Sequence, residues 1–265
     1  MGCSVPMAFR DTQTILGKAP APPPDKPVPY RLRFAETEAD RLAAYRLRFL
    51  VFNLELKEGL LSAYQEGYDR DEFDEVCDHL LVEHTPSRQI IATYRLQTGR
   101  QAAQRRGYYS AREFDFSPYE PYRAEMVELG RAAVHRRHRS FEVLIMLWRG
   151  IARYAQEKGT RYLIGCCSCP SESPEDGLAL FTGLRGYLVR AEFRTQPHND
   201  FTCVPNGFAN RTEEPRVPKL LRTYLALGAR ICGQPALDRG FRTIDFLTLL
   251  DMQRLSPSVR ARFLC

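Results

Sequence analysis

Apolar and polar positions change period several times along the chain, and each change marks an element. After a proline-rich stretch at residues 18–29, "YRLRFAET" alternates as a short strand. Residues 38–57 then place Leu42, Tyr45, Phe49 and Phe52 at steps of three and four, which predicts a helix. "HLLVEH" and "QIIATYRLQTG" read as two strands joined by the turn "TPSR", hence a hairpin. "YYSAREFDFS" reads as an aromatic helical turn or loop, and "AEMVELGRAAVH" as a longer strand. The firmest helix covers residues 141–158, where Phe141, Leu144, Ile145, Trp148, Ile151, Ala152 and Ala155 share one face. Ser140 stands at its N-cap and Gly159 at its stop. "RYLIGCCS" predicts a strand, "DGLALFTGLRGY" a helix, "RAEFRTQ" the start of a strand, "VPKLLRTYLALGARI" a helix and "FRTIDFLTLLD" a last strand. That order gives an α/β to α+β fold, a mixed sheet covered by helices.

The expected organisation is a Pro-rich tail at 1–29, a core at 30–210 and a basic C-terminal extension packed on the core at 211–265. Hydrophobic content of 44% and charged content of 26% suit a globular protein. No apolar run reaches the length of a membrane span, and the first residues lack the pattern of a secretory signal, so a cytoplasmic protein is expected. Its eight cysteines do not read as a disulfide framework. Cys166 and Cys169 form a C-x-x-C, but "RYLIGCC" reads as a buried strand and no second ligand pair is spaced to match. Buried thiols in a reducing compartment are expected, and no metal. The net charge of +6 is uneven, for residues 211–265 carry ten Lys and Arg against five Asp and Glu. An acidic carrier, an anionic membrane surface or nucleic acid would answer that excess. No stripe of aromatics interleaved with arginines supports nucleic acid.

Three groups of residues invite chemistry. Arg136, Arg137 and Arg139 precede Ser140 at the start of the long helix. A helix N-terminus leaves N–H groups unpaired and adds positive potential, so strand, basic loop and helix start together would form a phosphate cradle, although arginines that are only solvated explain the pattern as well when taken alone. Glu128 and Arg131 lie in one predicted strand, where i and i+3 face opposite ways. They would act together only across a bulge, for which Gly130 is suited. A buried Glu128 would have a raised pKa and could accept a proton from an amine, although spacing alone is explained as well by a structural ion pair. Asp69, Asp71 and Asp74 crowd an acidic loop without the glycine and distal glutamate of a calcium loop. Arg48, one turn before Phe52, becomes notable only if it reaches them.

Taken in order, "RFLVF", "DRDEFD", "CDHLLV", "IATYRL" with Arg95, "YYSAREFDF", "ELGR", "LIMLWRGIARY" and the tail "YLALGARICGQPALDRGFRTIDFLTLLD" carry a resemblance. The chain resembles GNAT-fold N-acyltransferases that take their acyl group from acyl carrier protein. It is most similar to bacterial ornithine Nα-acyltransferases and more distantly similar to acyl-homoserine-lactone synthases, and the match runs over residues 30–255. The resemblance implies a twisted mixed sheet whose central parallel strands, "VELGRAAV" and "RYLIGCCS", splay around a pantetheine arm. It places the arm's phosphate at Arg136, Arg137, Arg139 and Ser140. Acetyl-CoA members carry a glycine-rich loop there; "RRHRSF" has no glycine, which suits a carrier-protein phosphopantetheine better than CoA. The implied reaction is attack by the α-amine of ornithine on a 3-hydroxyacyl thioester, giving lyso-ornithine lipid. Glu128 would be the base, a backbone N–H the oxyanion donor, and no cysteine the nucleophile.

The resemblance also gives the charged cluster of Arg48, Asp69, Asp71, Asp74, Arg95 and Arg131 to the amino-acid substrate. It implies no permanently bound cofactor: acyl carrier protein is a co-substrate and partner, and a peripheral place on the inner membrane is compatible. Three alternatives stay open. The acceptor is glycine or another amino acid; the protein is a lactone synthase, against which stands the lack of a tryptophan between "VF" and the acidic loop; or it is a non-catalytic basic module for a membrane surface.

Overall fold

The computed structural model describes residues 29–205 and 216–263. The expected tail, save Pro29, lies outside them. Eight strands form one sheet: β1 (Tyr30–Phe34), β2 (Asp78–His84), β3 (Gln89–Thr98), β4 (Met126–Val134), β5 (Tyr162–Pro170), β6 (Arg230–Ile231), β7 (Ala236–Asp238) and β8 (Thr243–Asp251). Their spatial order is β1-β2-β3-β4-β5-β8-β6, with β7 also on β8. Among the strands of the described residues, β4 and β5 alone pair with each other in parallel. The helices are α1 (Glu38–Arg48), α2 (Ala63–Glu66), α3 (Gly99–Gln104), α4 (Phe141–Glu157), α5 (Pro174–Leu184), α6 (Lys219–Leu227) and α7 (Pro257–Phe263).

Alternation along the strands sends side chains to two apolar cores. Val127, Leu129, Leu163, Ile244, Phe246 and Leu250 pack on one face with Leu147 and Ile151 of α4 and Leu221 of α6. Met126, Tyr162, Ile164, Leu247 and Leu249 pack on the other with Phe114, Tyr119 and Phe193. The buried stripe of α4 runs through Val143, Leu147, Ile151 and Ala155, whereas Phe141, Leu144 and Ile145 are only half-buried. Ser140 caps α4, its Oγ accepting from Val143 N at 3.3 Å.

Three expectations need correcting. The helix over 38–57 is two helices in one: after Arg48 it widens into a π-helix at Phe49–Leu56 and stops at Lys57, which has a φ of 60°. "RAEFRTQ" begins no strand; Ala191–Phe193 is a single 3-10 turn, followed by isolated bridges. The C-terminal segment is not an addition packed on a finished core. β8 pairs with β5 over nine residues, from Tyr162↔Asp251 to Pro170↔Thr243, so the last strand belongs to the same sheet, between β5 and the short β6 and β7.

Two local features open the middle of the sheet. β4 and β5 are paired only at Met126↔Tyr162, Val127↔Leu163 and Glu128↔Ile164, and then diverge. Gly165 lies at the divergence: a Cβ there would sit 2.2 Å from the Leu129 carbonyl oxygen, so only glycine permits the approach. On the other side of β4 the register with β3 slips between Thr93↔Ala133 and Arg95↔Gly130. The slip is a bulge whose left-handed residue is Arg131, at a φ of 52°, and not the neighbouring Gly130.

Candidate functional site

The gap between β4 and β5 holds a cavity of about 330 Å³. Trp148, Leu163, Tyr224 and Leu250 line its apolar side; Glu128, Arg131, Cys166 and Asp245 line its polar side. The first group contains Leu163 and Leu250 from one core and the second contains Cys166 against the other. The cavity therefore passes through the sheet and offers a long apolar group and a small polar one access from opposite faces.

Glu128 sits at the last paired level before the gap. It is buried, and its carboxylate accepts from Tyr109 N at 2.8 Å and Ser110 N at 2.7 Å. Burial pushes its pKa up, while those two hydrogen bonds and the charge of Arg95 limit the rise. The bulge lets Arg131 line the same cavity as Glu128, which a regular strand would forbid. The Arg131 guanidinium lies 4.3 Å from the centre of the Phe241 ring and 5.3 Å from that of Tyr109.

Arg48 does reach the acidic loop. It donates to Asp69 Oδ1 at 2.9 Å, to Asp74 Oδ1 at 2.7 Å and Oδ2 at 2.6 Å, and to the Asp69 carbonyl. Arg95 donates to Asp71 at 2.6 Å and to Asp74 at 3.0 Å, and Arg131 to Asp71 at 2.9 Å. Three cations thus meet three anions, all nearly sealed from water. Burial opposes ionisation of Asp71 and Asp74, but the guanidinium groups around them win and hold both below the usual carboxylate range. The cluster expected to take the amino-acid substrate is thus divided by its geometry. Behind the wall Arg48 is spent on Asp69 and Asp74, and Asp71 on Arg95 and Arg131, because buried charges must be paired; of the six, only Arg95 and Arg131 line the cavity.

The basic loop lies beyond the outer end of β4. Arg136 and Arg137 are exposed. Arg139 is half-committed: it clamps Glu55 through two hydrogen bonds of 2.6 and 2.9 Å and donates to the Val134 carbonyl. Ser140 spends its oxygen on the cap of α4.

A second acidic cluster was missed by the sequence reading. Glu113, Cys166 and Asp245 bring one ligand atom each within 4.8 Å of the others. Asp238 and Glu58 line the same stretch of the cavity. Burial and the charges of Asp245 and Asp238 push Glu113 well above its usual range. Burial likewise pushes Asp245 up to about 6. Cys166 is raised by burial and by Glu113 and Asp245, which keeps it a thiol. One signal did exist: Asp245 interrupts the apolar run "TIDFLTLL", where a carboxylate has no place in a plain core strand. No helix among the described residues is long and apolar enough to cross a membrane.

The acetyltransferase (GNAT) domain family matches residues 47–149. An L-ornithine Nα-acyltransferase of Brucella abortus is 33% identical over 242 residues, covering 85% of each chain. One from Agrobacterium fabrum is 32% identical over 238 residues, covering 84% of this chain and 81% of its own. Among solved structures, the AHL synthase LasI superposes with a TM-score of 0.48 at 12% identity, covering 88% of this chain and 94% of its own. FeeM, an N-acyl amino acid synthase from uncultured soil microbes, gives 0.47 at 13%, covering 89% and 94%.

Proposed function

The chain belongs to the L-ornithine Nα-acyltransferase family, and on that premise we propose that it transfers a 3-hydroxyacyl chain from acyl carrier protein to the α-amine of ornithine, giving lyso-ornithine lipid. The observation that carries this reading is the gap itself. Past Glu128 and Ile164 the facing edges of β4 and β5 no longer pair, and a cavity takes the place of the ladder. Backbone groups of β4 beyond that level are free to bond a pantetheine arm. The acyl chain lies against Trp148, Leu163 and Leu250.

The amine attacks the thioester carbonyl from the polar side. The C–N bond forms, and a backbone N–H of β4 past the gap stabilises the oxyanion. Glu128 takes a proton from the α-ammonium, directly or through water; the burial that raises its pKa makes it a stronger base. Collapse breaks the C–S bond, and the remaining amine proton ends on the departing carrier thiol. Arg131 faces the carboxylate of the acceptor. Arg136 and Arg137, exposed before α4, meet the phosphate and the acidic surface of the carrier, while Arg139 and Ser140 hold the loop and the helix start in shape. A carrier delivering a lipid precursor fits a peripheral place at the cytoplasmic membrane surface.

A reconstituted assay tests this. Purified protein is given ornithine with either a 3-hydroxyacyl carrier protein or the matching acyl-CoA. The carrier thioester is expected to be used with the lower KM. Replacing Arg136 and Arg137 with Glu together is expected to raise the carrier KM about tenfold at low salt, with the difference shrinking as salt is added. Equal use of both donors, or no change in the double variant, would defeat the donor assignment.

A further inference from the structure

We propose that Asp245, backed by Glu113, is the anionic end of the acceptor site and holds the distal ammonium group of ornithine. The proposal rests on the acyl-transfer reading above and says which part of the cavity selects the amine.

The placement follows from strand register. Glu128 pairs with Ile164, and Asp245 faces Ser168 on the same strand β5. Ile164, Cys166 and Ser168 alternate onto one face, the face of Glu128. Carrying the parallel register two residues past the split sets Cys166 level with Gly130, where β4 bulges. Cys166 and the carboxylates of Glu113 and Asp245 lie within 4.8 Å of one another. The acidic end therefore lies close to the level where the acyl carbonyl would sit, one amino-acid side chain away.

The groups there lack what would normally make them stable. Asp245 is only 5% exposed, lines the cavity, and has an Oδ1 without a hydrogen-bond partner. Among the described residues no Lys, Arg or His forms an ion pair with Glu58, Glu113, Asp238 or Asp245. Hydrogen bonds from Ser168, Thr243 and Glu113 reach the Asp245 carboxylate, but one of its oxygens stays unpartnered and no cation balances it, which costs stability until a positive charge arrives. A primary ammonium supplies one positive charge and three N–H donors. Arg95 and Arg131 stand on the other wall, paired with Asp71 and Asp74, and Arg131 keeps one Nε–H without a partner, so that wall offers a donor for the carboxylate end of the amino acid.

The test compares ornithine with norvaline, which keeps the α-amine and carboxylate and lacks the distal ammonium. The wild type is expected to prefer ornithine about 10- to 100-fold in kcat/KM. Asp245→Asn is expected to collapse that ratio to near unity, chiefly through the KM for ornithine, and Glu113→Gln to reduce it less. A ratio that survives in both variants overturns the proposal. Equal loss on both amines in Asp245→Asn also overturns it, pointing to a general base. So does wild-type activity that requires an added divalent metal and is abolished by chelation. Should the wild type acylate no amino acid at all, the acyl-transfer reading falls and this one with it.

Discussion

Behind one wall of the cavity, which Arg95 and Arg131 line, Arg48, Arg95 and Arg131 meet Asp69, Asp71 and Asp74; on the other side Asp238, Asp245 and Cys166 line the cavity with Glu113 behind them, and among the described residues no cation pairs with these carboxylates. Both groups are buried carboxylates, yet they behave oppositely. In the first, paired guanidinium groups pull Asp71 and Asp74 down. In the second, burial and mutual repulsion push Glu113 and Asp245 up. A closed network of charge fixes geometry: it ties the end of α1 and the acidic loop to β3 and the bulge of β4. An open one stores unmet demand beside the cavity, which is what a site for a charged ligand requires.

The largest effect is expected from breaking the closed network. Arg48→Met leaves Asp69 and Asp74 buried without their main partner, and should cost about 3–5 kcal/mol of stability in denaturant unfolding. A loss under about 1 kcal/mol would show that the cluster is not the anchor described. A smaller effect, of opposite sign, is expected from the open cluster. The folded pKa of Asp245, about 6, lies above its ordinary value of 3.8. Its contribution to stability is therefore full below the ordinary value and is lost as pH rises through about 6, amounting to about 2–3 kcal/mol. Asp245→Asn should thus match the wild type in melting temperature near pH 4 and exceed it at pH 8. Asp71 and Asp74 work the other way, their contribution vanishing only in acid below their ordinary range. A variant that melts lower than the wild type at pH 8 would mean that Asp245 is compensated after all.

Much of the fold was legible because its strands alternate and α4 carries a clean apolar stripe beneath Ser140. The gap was legible only through the resemblance, since divergence of two strands leaves no period of its own. Arg48, Arg95 and Arg131 and the acidic loop could be singled out by residue type, but spacing could not show that they satisfy one another. The bulge needed to bring Arg131 beside Glu128 was anticipated next to Gly130 and is carried by Arg131 itself. β6 and β7, of two and three residues, are too short to show any alternation. Asp245 was passed over for a related reason: one carboxylate inside an apolar strand does not disturb the pattern that identifies the strand.

The central claim is that this cavity joins an acyl chain to the α-nitrogen of ornithine. The most direct measurement is lipid mass spectrometry of a host that lacks ornithine lipids, expressing either the wild type or Glu128→Gln. The wild type should add a 3-hydroxyacyl species whose fragmentation places the amide on the α-nitrogen, and the variant should lower it at least about 100-fold. Acylation on the distal nitrogen, or an undiminished product from Glu128→Gln, would contradict the account.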